Sequence, residues 1–200
     1  MLSDNKNRIA KNTLMLYIRQ MLILFISLYT VRVVLDVLGV EDYGIYNVVG
    51  GIVTFFSFLS GTMASATQRF FSFALGRNDI EILKRTFSVN LIVYSAIGII
   101  AFILLETIGL WFINQQLHVP VERFEAVKWV YQFSILTFLA TIFTTPFMSI
   151  IVAHEDMQIY AYVSIIEAVL KLVIVFLLSH FSWDKLLLYG SLVFAVSVDD

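Results

Sequence analysis

The chain has 200 residues, a length that fits a single soluble domain. Its composition excludes that class, because hydrophobic residues make up 60% and charged residues 14%, against roughly 45–50% and roughly 25% in soluble proteins. The net charge of −2 excludes a basic nucleic-acid-binding protein, and the lack of cysteine excludes a disulfide framework, a thiol nucleophile and a cysteine-ligated metal.

Three long stretches of the chain contain no charged residue, namely 43–68, 86–105 and 129–154. About 20 helical residues cross the roughly 30 Å hydrocarbon core of a membrane, so each stretch is long enough to span it. Three helices buried inside a soluble fold would require a much larger protein. The sequence therefore predicts an all-α polytopic membrane protein.

Weaker apolar segments fill the gaps and complete a single predicted bundle of about six transmembrane helices over residues 1–200. A turn at 39–44 separates the first two helices. The sixth helix reaches only about 20 Å at 1.5 Å per residue. We expect it to be truncated, and the alternative is an interfacial helix that ends there naturally. The predicted helices are 13–38, 44–75, 86–113, 126–152, 157–179 and 186–198.

Lysine and arginine are unevenly distributed between the two sets of predicted loops. The segments on the side of the N-terminus hold Lys6, Arg8, Lys11, Arg77, Lys84 and Arg85, and the opposite segments hold Arg123, Lys128 and Lys185. Because cytoplasmic loops are enriched in these residues, six against three predicts a cytoplasmic N-terminus.

Two patterns of small or hydroxyl residues lie on predicted helices. In the second helix, Ser57, Gly61 and Ser65 recur every four residues, and Ser60 and Ala64 extend this small-residue surface. We expect it to pack against another helix of the chain rather than to mediate dimerisation. In the fourth helix, four threonines lie broadly on one side. They either line a water-filled cavity or donate hydrogen bonds to their own helix. These threonines are Thr137, Thr141, Thr144 and Thr145.

No enzyme motif is present in the sequence. Phosphate-binding GxxxxGK[ST], GxGxxG, HExxH and GxSxG patterns are all absent, as are paired aspartate-rich motifs. The polar cluster 154–156 is better interpreted as a solvated turn than as a metal site. We therefore expect no catalytic residues, no metal and no cofactor, and a protein that is not an enzyme.

Four charged residues are candidates for a cavity or substrate-binding site. An ionisable group at membrane depth costs on the order of 2.5–3.5 kcal/mol, so each needs an explanation. Arg19 and Arg69 lie near the cytoplasmic side, where they either attract an anionic head group or serve as ordinary anchors. Glu167 and Lys171 lie near the middle of the fifth helix, one turn apart. They either face a transport route or hold two helices together.

The segment between the first two helices carries a recognisable signature. Leu38-Gly39-Val40-Glu41-Asp42-Tyr43-Gly44-Ile45-Tyr46 resembles the LG-x-x-x-YG-x-Y pattern of polysaccharide flippases. The order of 55–58, Gly61, Arg69 and Gly76 is similar to that family's second helix, and Asn12-Thr13 fits before the first. Over residues 8–90 the chain resembles the oligosaccharide-lipid flippases of the multidrug/oligosaccharidyl-lipid/polysaccharide exporter superfamily.

This resemblance implies a V-shaped transporter of two six-helix bundles, of which the chain would form the N-terminal lobe. It implies that an undecaprenyl-diphosphate-linked oligosaccharide moves from the cytoplasmic to the periplasmic leaflet by alternating access, for surface polysaccharide such as O-antigen. It also implies a bacterial inner-membrane location. The partners it implies are the lipid-linked oligosaccharide, membrane lipids, and a glycan polymerase or other assembly proteins. The cationic cavity of the family's N-terminal half fits Arg19 and Arg69.

Other functions remain open from the sequence. The closest rival is a cation-coupled multidrug or metabolite efflux pump of the same superfamily. A lipid-modifying membrane enzyme and a non-catalytic scaffold are further alternatives. The missing motifs weigh against the enzyme, and the charges within the predicted membrane helices weigh against a plain scaffold.

Overall fold

The computed structural model describes residues 2–117, 119–178 and 184–198, and these are almost entirely helical, with no β-strand among them. The α-helices are α1 (Leu2–Gly76), α2 (Ile80–Leu104), α3 (Leu110–Gln115), α4 (Phe124–Ala153), α5 (Met157–Leu178) and α6 (Lys185–Val198). A π-helical turn at Leu105–Gly109 joins α2 to α3, and a 3₁₀ turn at Val121–Arg123 precedes α4. The predicted end of the fifth helix at 179 lies outside the described residues.

Four helical segments are long and apolar enough to cross a membrane, and the shorter α6 is also apolar. They are Ala10–Gly76, Ile80–Gln115, Phe124–Ala153 and Met157–Leu178. The prediction of an all-helical membrane protein is confirmed at this level. A run of about 20 mostly hydrophobic residues is sufficient to identify such a segment, because a helix of that length spans the hydrocarbon core. A helix is suited to that core because its backbone polar groups are hydrogen-bonded within the segment.

The predicted turn at 39–44 is much narrower in the structure. Within α1 only Gly39 has non-helical angles, with φ 82° and ψ 167°. A side chain makes positive φ costly, so glycine can break the helix where other residues would not. Residues 40–44 are already helical. Gly39 thus divides α1 into a first arm, 2–38, and a second arm, 40–76.

The two arms run in opposite directions. The first arm is parallel to α5, since Asn12 lies beside Glu155 and Tyr29 lies beside Phe176. The second arm is parallel to α4, since Asp42 pairs with Arg123 and Phe56 packs on Phe138. Helices α4 and α5 are themselves antiparallel, because a short turn at 154–156 joins them and Arg123, which precedes α4, contacts Asp184, beyond α5. The bundle therefore has a Gly39 end and a Gly76 end.

The largest buried cluster lies between the second arm, α2 and α4. Tyr94, Tyr131, Ile135 and Ile142 are almost fully buried there. A smaller cluster joins α5 to α6, and Val37 of the first arm packs against it. The second arm and α4 thus form the centre of the bundle, and the first arm is attached mainly through α5.

Of the small residues on the second arm, Ser60 is buried, but the expected close packing of the three spaced by four residues is wrong. Ser57, Gly61 and Ser65 are all exposed, and a Cβ added at Gly61 would meet no atom within 4 Å. Ser65 donates to the carbonyl of Gly61 at 3.2 Å instead of contacting a second helix. Small-residue spacing allows close approach but does not select which helix face turns inward. Here the buried face carries Val49, Val53 and larger residues.

Candidate functional site: two cavities along α5

One face of α5 carries four polar side chains in a mostly apolar helix. Tyr160, Ser164, Glu167 and Lys171 are separated by four, three and four residues, a spacing that places them along one side of a helix. Two cavities adjoin this face, a groove toward the first arm and a central cavity toward α4. Tyr160, Ser164 and Glu167 line both, so the two cavities share a wall.

The groove lies between the first arm and α5 and has a volume of about 480 Å³. Arg19, Glu167 and Lys171 all line it, together with apolar side chains such as Ile23 and Ile26. The structure therefore brings three of the four predicted site residues into one place. The fourth, Arg69, is exposed and does not line the groove or the central cavity.

Arg19 is held in the groove by contacts with α5. Its Nη1 donates to the Ser164 hydroxyl at 3.2 Å, and its guanidinium carbon lies 4.5 Å from the centre of the Tyr160 ring. Its Nε is buried and has no hydrogen-bond partner among the described residues. A guanidinium group has five N–H donors in a planar fork. With one N–H of Nη1 donated to Ser164, the guanidinium keeps further N–H donors on its terminal nitrogens, and Ser164 and Tyr160 fix its orientation.

Glu167 and Lys171 form an ion pair one helical turn apart. Their side chains are 34% and 37% exposed, so each is partly open to the groove rather than sealed in a core. An ion pair with this exposure is partly screened, and its contribution to stability is correspondingly small. Of the two, only Glu167 also lines the central cavity.

The central cavity has a volume of about 270 Å³ and a wall rich in hydroxyl groups. Its hydroxyl-bearing side chains are those of Thr141, Thr144, Thr145, Ser149, Tyr160, Ser164 and Ser197, with Gln68 and Glu167 beside them. The lining is thus well supplied with both donors and acceptors of hydrogen bonds.

Three of the threonines on α4 border a cavity and also donate hydrogen bonds to their own helix. Thr141, Thr144 and Thr145 line the central cavity, and each hydroxyl donates to a carbonyl of its own helix. A hydroxyl that donates to the backbone still has lone pairs that can accept a hydrogen bond. Thr137 lines a separate, smaller cavity, which Thr141 also borders. The Ser149 hydroxyl is buried without a partner in the described structure.

A charged cluster at the Gly39 end was not found by sequence reasoning. Arg123 contacts Asp42 at 3.1 Å and Asp184 at 3.2 Å, which joins the second arm, α4 and the start of α6. The Asp184 carboxylate also accepts from the backbone N–H of Leu186 and so caps α6. The three residues are far apart in sequence, so no local pattern indicates them. The Tyr160–Lys171 face, in contrast, could have been found from its helical spacing.

The fold and these cavities define a helical membrane protein with a polar interior along one helix. In comparisons with family models, curated proteins and solved structures, the chain shows no match. The resemblance to flippases therefore depends on the signature residues alone.

Proposed function

We propose that the chain forms the N-terminal lobe of a transporter that flips an undecaprenyl-diphosphate-linked oligosaccharide from the cytoplasmic to the periplasmic leaflet. One observation carries this proposal: a half-buried arginine borders a groove that shares a wall with a cavity rich in hydroxyl groups. A lipid-linked glycan presents the same two chemistries, an anionic diphosphate and a neutral polyhydroxylated sugar.

Arg19 is suited to the diphosphate. Arginine binds phosphate oxygens through two parallel hydrogen bonds, which gives geometric selectivity as well as attraction. The groove around Arg19 is otherwise bordered by apolar side chains of the first arm, including Ile23, Ile26 and Val31. A polyprenyl chain could follow these side chains while the head group remains at Arg19.

The central cavity is suited to the sugar. Hydroxyl and amide side chains exchange hydrogen bonds with glycan hydroxyls, and these replace the bonds the sugar loses with water. Because Tyr160, Ser164 and Glu167 border both cavities, the head group and the glycan would contact one continuous surface.

In this proposal the first arm, the second arm, α2, α4 and α5 each cross the bacterial inner membrane and α6 enters it, with the N-terminus in the cytoplasm. The Gly76 end then faces the cytoplasm, where the substrate loads. A second lobe would complete a V-shaped transporter that works by alternating access, and the proposal includes no catalytic residue, metal or cofactor.

The rival is a cation-coupled efflux pump, and the position of Glu167 favours it. A carboxylate that borders two cavities can exchange a cation or proton during transport. An efflux pump would change the susceptibility of cells to toxic compounds and leave surface glycan unaffected, so the two functions are separable by phenotype.

The test replaces Arg19 with alanine in the chromosomal gene of the source bacterium. We expect surface glycan to be lost while the protein accumulates normally in the membrane, since the head-group contact is removed. Arg19→Lys should restore export only in part, because lysine cannot bind two oxygens in the same plane.

Arg32→Ala is the matched control, because Arg32 is an exposed arginine on the same arm that does not border the groove. It should leave export unchanged. Normal export by a stably expressed Arg19→Ala protein would refute the assignment of Arg19. Normal glycan with altered compound susceptibility in a gene deletion would favour the efflux pump.

A further inference from the structure

A second groove lies on another face of the bundle, between the second arm and α2. It has a volume of about 440 Å³ and is bordered by Met63, Phe70, Val89 and Val93, with Arg85 at one end. Phe70 is 63% exposed, Val89 51% and Val93 41%, so the apolar walls are open to the surroundings of the helices. This groove shares no residue with the two cavities along α5.

The polar groups inside this groove are satisfied by one another. The Thr67 hydroxyl donates to the Asn90 side-chain oxygen at 3.0 Å and shares a hydrogen bond with the Tyr94 hydroxyl at 3.2 Å. The Asn90 amide donates to the carbonyl of Thr86 at 2.9 Å. The interior of the groove therefore offers little to a polar ligand, and its walls suit a hydrocarbon chain.

Arg85 is the charged residue of this groove. It forms no ion pair with any residue that the structure describes. It is exposed and lies about 8 Å along α2 from its start at Ile80, by the rise of 1.5 Å per residue. Asp79, which precedes α2, is engaged as the N-cap of that helix. Glu81 lies one turn before Arg85 on α2 but forms no ion pair with it in the described structure and does not line the groove, so the groove has one charged lining residue, a cation at the Gly76 end.

The length of the groove matches part of an acyl chain. Arg85 and Val93 are eight residues apart on α2, which corresponds to about 12 Å along the helix axis. One leaflet of hydrocarbon is about 15 Å thick. A chain whose head group contacts Arg85 would therefore lie along Val89 and Val93 and remain within one leaflet.

We propose that this groove binds a phospholipid with a net negative head group, held by Arg85 at the head group and by the apolar walls at one acyl chain. Basic residues at the membrane surface between helices are suited to anionic lipids, because the head-group charge is attracted over a short distance. The site is separate from the proposed transport route and does not depend on it.

The test measures lipid binding to the purified, delipidated protein in neutral detergent by native mass spectrometry. Phosphatidylglycerol and phosphatidylcholine with identical acyl chains compete at equal concentration. We expect phosphatidylglycerol to be preferred several-fold. Arg85→Gln should lower its binding about fivefold, the effect typical of one basic residue at the membrane surface.

Two variants serve as controls for charge. Lys84→Gln removes an equal charge from the adjacent exposed position, which does not border the groove, and should leave the preference unchanged. Arg85→Lys should retain most of the preference. A third variant, Val93→Trp, fills the apolar part of the groove and should lower the binding of both lipids.

Several results would overturn the proposal. Equal binding of the two lipids would show that head-group charge is not recognised, and equal losses in Lys84→Gln and Arg85→Gln would show only general surface charge. Displacement of phosphatidylglycerol by millimolar inorganic phosphate would indicate an ion site alone. A dimer whose formation is blocked by Val93→Trp would show that the groove is covered by a second copy of the chain.

Discussion

At the scale of single residues, Glu167 and Lys171 are the pair whose role is most open to experiment. They contact each other, border the groove with Arg19, and are each about one-third exposed. A pair that only supports packing can be replaced by apolar residues of similar volume without loss of function. A pair that contacts the substrate or a coupling ion cannot be replaced in this way without loss of transport.

We predict that Glu167→Leu with Lys171→Leu abolishes export while the protein still accumulates in the membrane. Each single variant should lower abundance more than the double, because it leaves one charge without its partner. The partial exposure of both side chains limits that difference to a modest one. Export and abundance are measured for all three variants. Export at the normal rate from the double variant would reduce the pair to a structural role.

A second residue-scale feature is the close approach of Tyr131 to Gly109. The Tyr131 hydroxyl donates to the carbonyl of Leu105 at 2.7 Å, at the start of the π-helical turn. A Cβ at Gly109 would overlap that hydroxyl and would lie 2.9 Å from the ring carbon Cζ. The absence of a side chain at Gly109 is thus what allows the buried hydrogen bond.

We predict that Gly109→Ala destabilises the protein by about 2–3 kcal/mol, through overpacking and the lost hydrogen bond. Gly98→Ala, on α2 just before this turn, is the matched control, because its Cβ would meet side chains of α4 at an ordinary 3.7 Å. Tyr131→Phe should partly rescue Gly109→Ala, since it removes the overlapping hydroxyl. The measurement is the thermal unfolding midpoint in detergent. An unchanged midpoint for Gly109→Ala would contradict the packing described here.

At the scale of helices, Arg123 connects the second arm to the start of α6 at the Gly39 end of the bundle. The side chain of Asp42 is only 9% exposed, and Arg123 contacts it as well as Asp184. Lys185 adds a hydrogen bond to the carbonyl of Val37 at the end of the first arm. The two arms, α4 and α6 are therefore connected by charged contacts, whereas their mid-sections are connected by apolar packing.

We predict that Arg123→Ala lowers the free energy of unfolding by about 1–2 kcal/mol, because Asp42 loses the partner of a largely buried carboxylate. The value is modest since Arg123 is itself 40% exposed and its attraction is screened. Lys128→Ala is the control, as its pair with Glu125 is exposed and 3.9 Å long, and it should cost less than about 0.5 kcal/mol. Equal thermal unfolding midpoints for the two variants would show that Arg123 contributes no more to stability than an exposed ion pair.

At the scale of the whole molecule, the antiparallel arms determine which loops share a side of the membrane. The turns after α1 and after α4 both lie at the Gly76 end, and Gly39 lies at the other. Large apolar side chains on the second arm, such as Phe55 and Phe58, are exposed on the outside of the bundle, as expected for surfaces that face lipid or another membrane segment.

We predict that reporter fusions after Asn78 and after Glu155 both report the cytoplasm. Fusions after His118, which lies outside the described residues, should report the periplasm, as should fusions after Gly39. The physical reason is the excess of lysine and arginine in the segments on the N-terminal side. Alkaline phosphatase and green fluorescent protein fusions give opposite signals and check each other. The reverse pattern would overturn the orientation proposed for the transporter.

The sequence by itself determined the class of the protein and most of its helices. The hydropathy of a window of about 20 residues depends only on residues that are adjacent in the chain. The long apolar helices of the structure therefore lie where the sequence predicts them. It also determined that Arg19, Glu167 and Lys171 need partners, because charge at membrane depth is costly.

Only the tertiary structure decided which side chains meet. Helix rotation turned Ser57 and Gly61 outward against expectation, placed Arg19 on Tyr160, and left Arg69 away from both cavities along α5. The contacts of Arg123 and the approach of Tyr131 to Gly109 join positions that are distant in the chain. Such contacts depend on how whole helices pack and turn about their axes, and hydrophobic periodicity in a helix that is apolar on all sides does not specify that rotation.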